Sequence, residues 1–385
     1  MRGLYIHIPF CVKKCGYCDF YSEVGGDAEL QLYLDAVERE FEIRAKEFGP
    51  LKPETIFFGG GTPTKLSADQ LTRLGEIIHR QVDVSSVSEW TSEINPGTLN
   101  KDKAQALADM GMNRASIGIQ SFNPKWLREL DRTHEEGKAQ EALELARDAG
   151  INNISVDLMF ALPGQTLEEW QDDLEKALAL KTQHISLYAL TFEDDTPLTM
   201  KMQRGEVEPM NADTAAEFYD YTVKRCRQDG FERYEVSNFA KPGLESKHNT
   251  LYWECDNWLG IGAAAHSAFG QRRWANGRDY KAYMKALLDE DHLPVAYEEE
   301  NTIEQYADEI LMMGLRLATG VETQAFAEKT GMKITDYCGD SLENLSQLEL
   351  IQWDGATLRL TDKGFRVLDK VVLELTSVEA GVTQG

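Results

Sequence analysis

From residue 1 to about 190 the chain alternates short apolar or β-branched runs with longer stretches whose apolar residues recur at helical spacing. The strand runs are residues 4–8, 55–58, 88–94, 114–119, 155–159 and 184–190. The helical patterns between them cover 29–48, 68–81, 101–110, 135–149 and 167–180. Several strand runs show little polar alternation, as expected when both faces of a parallel sheet are covered. The pattern predicts an α/β fold with a parallel sheet curved into a partial (β/α)6, TIM-like barrel, with too few repeats for closed eightfold symmetry. In such folds the chemistry sits at the carboxyl ends of the strands.

The pattern then changes twice. Residues 196–300 read as irregular, with one helix over 212–229 and a dense aromatic and glycine-rich stretch, a segment that completes or links the barrel. Residues 301–385 predict a mainly helical domain: helices over 302–317, 323–329 and 335–350, extended pieces at 351–353 and 357–360, and a last helix opening at Thr361-Asp362. That order is winged-helix-like. Such modules often bind DNA, but Asp336, Asp340, Glu343 and Glu349 occupy the would-be recognition helix without a Lys or Arg, so packing or protein contact is expected. The barrel is assigned to residues 1–195.

Composition narrows the function classes. Across 385 residues, 42% hydrophobic and 27% charged residues suffice for a sizeable core. Lys+Arg 40 against Asp+Glu 65 gives a net charge of −25, which argues against nucleic acid and against polybasic membrane docking. The longest uncharged stretch, 257–271, is too short to span a bilayer. The first ten residues lack the apolar core of a secretory signal, so cytoplasmic residence is expected. In a reducing compartment, clustered cysteines point to metal or redox chemistry more than to disulfides.

Cys11, Cys15 and Cys18 lie within eight residues, directly after the first strand, while Cys226, Cys255 and Cys338 are scattered. Three thiolates on one loop can hold three irons of a 4Fe–4S cluster, whose complete protein ligation takes four cysteines. An open metal position is what lets a site bind a small molecule. The alternative is zinc held by the three cysteines plus His7 or a distant cysteine, although zinc sites usually pair two C-x2-4-C modules and only one is present. The C-x3-C-x2-C spacing, with Tyr17 before the last Cys, resembles the radical S-adenosylmethionine (radical SAM) superfamily. The resemblance implies a 4Fe–4S cluster and S-adenosylmethionine chelated at the open iron.

Other polar residues end successive strands. Gly59-Gly60-Gly61-Thr62-Pro63 follows the second and lets backbone approach a ligand, or forms a tight turn. Glu93 ends the third strand, Gln120 ends the fourth, and Asp157 lies within the fifth. Polar groups at successive strand ends converge on one pocket mouth.

The runs Tyr-Ile-His-Ile-Pro-Phe-Cys (5–11), Gly-Gly-Gly-Thr-Pro (59–63), Ser-Ile-Gly-Ile-Gln-Ser-Phe (116–122) and Asp-Leu-Met-Phe-Ala-Leu-Pro-Gly-Gln-Thr (157–166) resemble the oxygen-independent coproporphyrinogen III oxidase family. The similarity covers most of the chain, the C-terminal region included. It implies cofactor contacts at Tyr5, Tyr17, Phe20, Gly60, Gly61, Thr62, Glu93, Gln120, Arg132, Asp157 and Ala189, with Cys11, Cys15 and Cys18 as cluster ligands.

Within that family the chain is similar to the haem-chaperone branch more than to the decarboxylating branch. The decarboxylases carry a further cysteine two residues past the third ligand, where this chain has Phe20, and an N-terminal extension, where only ten residues precede Cys11. The run His248-Asn249-Thr250-Leu251-Tyr252-Trp253 matches the H-N-x-x-Y-W motif of the chaperones. An exposed imidazole beside aromatic rings can ligate haem iron while the rings pack on the porphyrin; the alternative is a His donating to a backbone carbonyl, with Tyr252 and Trp253 as core. Tyr252 and Cys255 are further axial candidates. The stretch 260–267 reads as a flexible loop able to close on the cofactor site, and His79, His134, His184 and His292 carry no ligand-like spacing.

The resemblance implies a haem carrier that passes haem to respiratory proteins, without coproporphyrinogen oxidase activity. A homodimer and transient membrane contact are compatible with the chain. Oxidative decarboxylation of coproporphyrinogen III remains the alternative.

Overall fold

The apolar runs of the first half become strands whose side chains alternate between helix layer and barrel interior. The computed structural model describes residues 1–132 and 137–376. In it β1 (Gly3–Ile8), β2 (Thr55–Gly60), β3 (Glu89–Ile94), β4 (Arg114–Gln120), β5 (Asn153–Phe160) and β6 (His184–Ala189) pair in sequence order, each parallel to the next. On β4, Ala115, Ile117 and Ile119 are fully buried against the helix layer, while Arg114, Ser116 and Gly118 alternate with them. Barrel interiors are usually packed by branched apolar residues. Here that face is polar, and it leaves room for a site.

Helices α1 (Asp27–Phe48), α2 (Ala68–Gln81), α3 (Lys101–Asp109), α4 (Pro124–Glu129), α5 (Lys138–Asp148) and α6 (Leu167–Ala179) connect these strands. Capping boxes at Ser67/Gln70 and Thr166/Glu169 start α2 and α6. One helix was expected between β4 and β5 and two are found, because Asn123-Pro124 opens α4 with an Asn cap and a Pro in the first turn. The predicted start of that helix at Glu135, and His134, lie outside the described residues.

The middle segment corrects the irregular reading. After α7 (Pro197–Gln203), α8 (Ala212–Gln228) and β7 (Glu232–Arg233), β8 (Asn238–Ala240) adds antiparallel to β6, and β7 pairs antiparallel with the far side of β8. Past α9 (Lys247–Trp253), β9 (Trp258–Ile261) adds parallel to β1, and β10 (His266–Phe269) and β11 (Arg272–Asn276) follow. Beyond α10 (Tyr280–Leu288), β12 (Val295–Glu300) completes one open, twelve-stranded sheet with β12 and β7 at its edges. These strands are short or carry no apolar alternation; β12 is exposed along its whole length. Pairing with neighbours supplies what local propensity lacks. One apolar cluster runs from Leu4 to Leu287 and takes this segment into the barrel's own core.

A second cluster covers Cys255 and residues 306–375. It holds α11 (Ile303–Gly314), β13 (Val321–Glu322), α12 (Thr323–Thr330), α13 (Ile334–Cys338), α14 (Ser341–Gln347), β14 (Ile351–Trp353), β15 (Thr357–Leu360), α15 (Asp362–Phe365) and α16 (Leu368–Leu375). The three strands form an antiparallel sheet in the order β13-β15-β14. The single helix expected over 335–350 is broken into α13 and α14 at Gly339, whose φ of +53° stops the first. The predicted domain end, residues 377–385, lies outside the described residues. Arg273 clamps Glu309 at 3.0 and 2.8 Å, and Arg233 reaches Asp362 at 2.8 Å, tying this domain to the barrel sheet. No helix among the described residues is long and apolar enough to cross a membrane.

Candidate functional site

The cysteine loop is held by backbone pairing before any ligand is considered. Cys11 N donates to Glu23 O at 2.9 Å and Glu23 N to Pro9 O at 2.8 Å, closing the loop's base. From the β2 turn, Gly61 N donates to Ile8 O at 2.9 Å and Thr62 N to Phe10 O at 2.8 Å. This strap explains the glycine run. Gly60 has φ +101°, and a Cβ there would fall on the His7 imidazole; a Cβ at Gly61 would stand 2.8 Å from Ile8 O and from Phe10 N and O. The thiol of Cys11 lies 3.4 Å from the Thr62 hydroxyl, Cys18 N donates to Cys15 O at 3.3 Å, and Leu198 N donates to Gly16 O at 2.9 Å.

His7 is not free to join the cysteines. Its Nε2 lies 3.0 Å from Tyr21 O and its Nδ1 3.0 Å from the Tyr5 hydroxyl, and burial pushes its pKa down to about 4. With both nitrogens committed, the zinc set that included His7 is not assembled. Cys226, Cys255 and Cys338 are buried on α8, in the interdomain seam and on α13. Among the described residues no group of three or more His, Cys, Asp or Glu side chains surrounds a single metal position.

Above the carboxyl ends of the strands lies a cavity of about 520 Å³. Cys11, Cys15, Cys18, Tyr17, Phe20, Gly60, Gly61, Thr62, Glu93, Gln120, Arg132, Asp157 and Ala189 all line it. Tyr5 does not, contrary to expectation: its hydroxyl is bonded to His7 and its ring stacks on Phe57 at 6.2 Å, one layer below. Ser116, Gly118, Met159, Tyr188 and Asn95 also line the cavity and were missed. A signal for two of them was present: in Arg-Ala-Ser-Ile-Gly-Ile-Gln, period-two alternation sets Ser116 and Gly118 on the face of Gln120. A register irregularity between Gly118 and Gln120, with φ +71° at Gln120, turns the strand end toward the cavity.

Two carboxyl groups share this wall. Burial, then the neighbouring Asp157, push Glu93 up to about 8. Burial also raises Asp157, against which Ser116 donates at 3.0 and 3.1 Å and Ser155 at 3.2 Å. Arg132 donates from Nη2 to Gly118 O at 2.5 Å and stands 3.6 Å from the Cys15 sulfur. Gly118 makes space for it, since a Cβ there would lie 3.0 Å from Nη2. Arg132 Nε is buried and has no hydrogen-bond partner among the described residues, a donor left for a ligand. Burial raises the Cys18 thiol to about 11, so metal uptake has to release its proton.

The His248 segment departs from expectation. His248 is 0% exposed. Its Nδ1 lies 2.8 Å from the Thr55 hydroxyl and its Nε2 2.8 Å from the Tyr252 hydroxyl, and its ring stacks on Phe57 at 5.2 Å. Lys247 N and His248 N both donate to the Glu89 carboxylate at 2.9 Å, so an anion caps α9. Thr55 and Glu89 open β2 and β3, and a Cβ at Gly3 of β1 would stand 3.2 Å from the His248 ring. The helix thus plugs the amino-terminal mouth of the barrel, at the opposite end from the cysteines.

This is neither the exposed ligand nor a His bonded to backbone; the partners are hydroxyls. Tyr252 gives its hydroxyl to His248 and packs edge-on to Trp258 at 4.7 Å, and Trp253 is half-buried. Cys255 is no open axial position either: it is 4% exposed, faces Glu309 O at 3.7 Å, and burial pushes it up to about 12. The stretch 260–267 is pinned rather than flexible. Gly262 N donates to buried Glu40 at 2.8 Å, Ala263 N to the Tyr33 hydroxyl at 2.9 Å and Ala264 N to Gly277 O at 3.0 Å.

Residues 5–177 match the model of the radical SAM superfamily, and residues 302–367 match the HemN C-terminal domain. The chain is 37% identical to the protein named heme chaperone HemW of Lactococcus lactis, over 96% of this chain and 96% of that one. It is 38% identical to the heme chaperone HemW of Bacillus subtilis, over 94% and 96%. Its fold is similar to that of coproporphyrinogen III oxidase (HemN) from Escherichia coli, with a TM-score of 0.83 at 23% identity, covering 97% of this chain and 90% of that one.

Proposed function

The chain belongs to the HemW family of the radical SAM superfamily, and on that footing we propose that it is a haem chaperone built on a radical SAM scaffold. The observation that carries the scaffold reading is the cavity itself. Three thiols without a fourth cysteine stand at its mouth, and two half-buried carboxyl groups and an Arg132 Nε with no partner among the described residues face its interior.

The donor set fits the group it implies. Cys11, Cys15 and Cys18 would hold three irons of a 4Fe–4S cluster, with S-adenosylmethionine at the fourth. When bound, such a cluster supplies single electrons to the sulfonium nucleotide at its open iron. Glu93 and Asp157 offer acceptors for ribose hydroxyls, and Arg132 Nε offers a donor to the amino-acid carboxylate. Gly60, Gly61 and Thr62 hold the cysteine loop against the cavity wall, and Gln120, Tyr17, Phe20 and Ala189 enclose the remainder. Haem is cargo in this reading, delivered in the cytoplasm to respiratory haem proteins, and that half is supported by similarity to chaperones across nearly the whole chain. The seated α9 does not fit a haem ligand, so we assign no axial role to His248, Tyr252 or Trp253 while the helix plugs the barrel.

The test is anaerobic reconstitution followed by iron and sulfide analysis, haem titration followed at the Soret band, and assay for decarboxylated porphyrin. The reading expects a 4Fe–4S signature perturbed by S-adenosylmethionine, saturable haem binding and no porphyrin product. Absence of haem binding, or accumulation of protoporphyrinogen, overturns it. The second outcome favours the alternative, oxidative decarboxylation of coproporphyrinogen III, which the cavity alone supports equally well.

A further inference from the structure

A chain of hydrogen bonds runs down the barrel interior from the cavity toward α9. It begins at Asp157, which accepts from Ser155 Oγ at 3.2 Å. Ser155 has one proton, and committing it to the carboxylate leaves only its oxygen for the Nδ1 of His184, 2.8 Å away. His184 Nδ1 must then carry the hydrogen, and Nε2 accepts from the Tyr234 hydroxyl at 2.8 Å. The Tyr234 oxygen accepts from Ser246 N at 3.3 Å, and Ser246 caps α9. Each donor points toward the cavity, so successive bonds polarise one another in the same sense.

The arrangement bears on Asp157 because a serine hydroxyl is a rotor. Ser186 Oγ, itself hydrogen-bonded to Asp157, lies 3.3 Å from Ser155 Oγ and is a second acceptor within reach of the Ser155 proton. A donor fixed on the far side of the Ser155 oxygen removes that choice. His184 is 1% exposed, and burial together with Arg114 keeps its ring neutral, so it holds one donor and one acceptor. Nothing in the cofactor cavity requires a histidine at this position, two layers below the mouth. Its neighbours on both sides are groups that a fixed tautomer orders.

We propose that His184 and Tyr234 are positioning residues for Asp157: they lock the Ser155 hydroxyl onto that carboxylate and so present it to the cofactor as an oriented acceptor. The proposal rests on the reading of the cavity as an S-adenosylmethionine site. Tyr234→Phe removes one hydroxyl and keeps the ring, and Ser155→Ala removes the next bond in line.

The experiment is equilibrium binding of S-adenosylmethionine to the anaerobically reconstituted full chain, for wild type, Tyr234→Phe, Ser155→Ala, Asp157→Asn, and Asp157→Asn combined with Tyr234→Phe. Loss of one neutral hydrogen bond corresponds to a rise in Kd of about three- to tenfold. The single variants Tyr234→Phe and Ser155→Ala are expected to show that rise. Adding Tyr234→Phe to Asp157→Asn is expected to change nothing further, because the residue acts only through the carboxylate. Unchanged Kd in Tyr234→Phe, whatever its melting temperature, overturns the proposal, as do additive losses in the double variant. Failure of the wild type to bind S-adenosylmethionine is a separate result that overturns the cavity assignment beneath it.

Discussion

The Nδ1 of His248 lies 2.8 Å from the hydroxyl of Thr55, across the amino-terminal mouth of the barrel. The contact joins α9 to the first residue of β2, and Glu89 at the start of β3 completes the seat. The motif that most resembles a haem site is therefore a structural plug in this conformation. Carboxyl ends of barrel strands carry chemistry, and amino ends carry stability.

Replacing His248 by Ala deletes a buried ring and leaves Thr55 and Tyr252 without their partner. The expected cost is about 2–4 kcal/mol of unfolding free energy. Haem affinity of the folded protein is expected to stay within about twofold of wild type. Urea unfolding and haem titration check the two halves. Lost haem binding at unchanged stability would return His248 to the ligand role.

Gly60→Ala and Gly61→Ala act on the cysteine loop without touching a cysteine. The added methyl meets the His7 ring or the backbone of Ile8 and Phe10. Each variant is expected to lose about 2–4 kcal/mol and most of its capacity to take up iron. Thermal melts and iron content after reconstitution test this.

Iron content also separates the six cysteines. Ala at position 11, 15 or 18 is expected to abolish cluster uptake, whereas Ser at position 226, 255 or 338 is expected to retain it, since those thiols are buried elsewhere. Aerobically purified protein is expected to lack the cluster yet unfold cooperatively, because the main apolar core excludes the cluster cysteines. A broad, non-cooperative melt would contradict that.

Glu93 gives a pH signature. Its folded pKa of about 8 lies above the unfolded value of 4.5, so the folded state holds the proton more tightly. Below pH 4.5 both states are protonated and nothing is lost. As pH rises from 4.5 toward 8 the unfolded state ionises first, and stability of the ligand-free protein falls. Glu93→Gln is therefore expected to match wild type near pH 4.5 and to melt higher near pH 8. Parallel melting curves across that range would show that Glu93 ionises freely.

Much of the cavity was legible because its parts are local. Cys11, Cys15 and Cys18 sit on one loop, and Glu93, Gln120 and Asp157 belong to strands whose carboxyl ends a parallel sheet must gather. Arg132 and Ala189 came only with the family resemblance, since nothing in their surroundings marks them. The strands β9 to β12 stayed hidden because Gly260, Ala268 and Glu298–Glu300 carry no strand signal of their own. Their hydrogen bonds come from β1 and from one another.

Taken alone, the order of residues determined the parallel α/β repeat, the trio of thiols and the row of polar strand ends, because each follows from spacing along a few consecutive residues. Only the folded chain decided that His248 faces inward, that Tyr5 lies beneath the cavity and that the stretch 260–267 is pinned. Those outcomes depend on partners such as Thr55, His7 and Glu40, which are 193, 2 and 222 residues away in sequence. Which side of a strand or helix a polar group takes is set by what waits there to accept its hydrogen bond, and for most of these groups that is fixed only when distant elements meet.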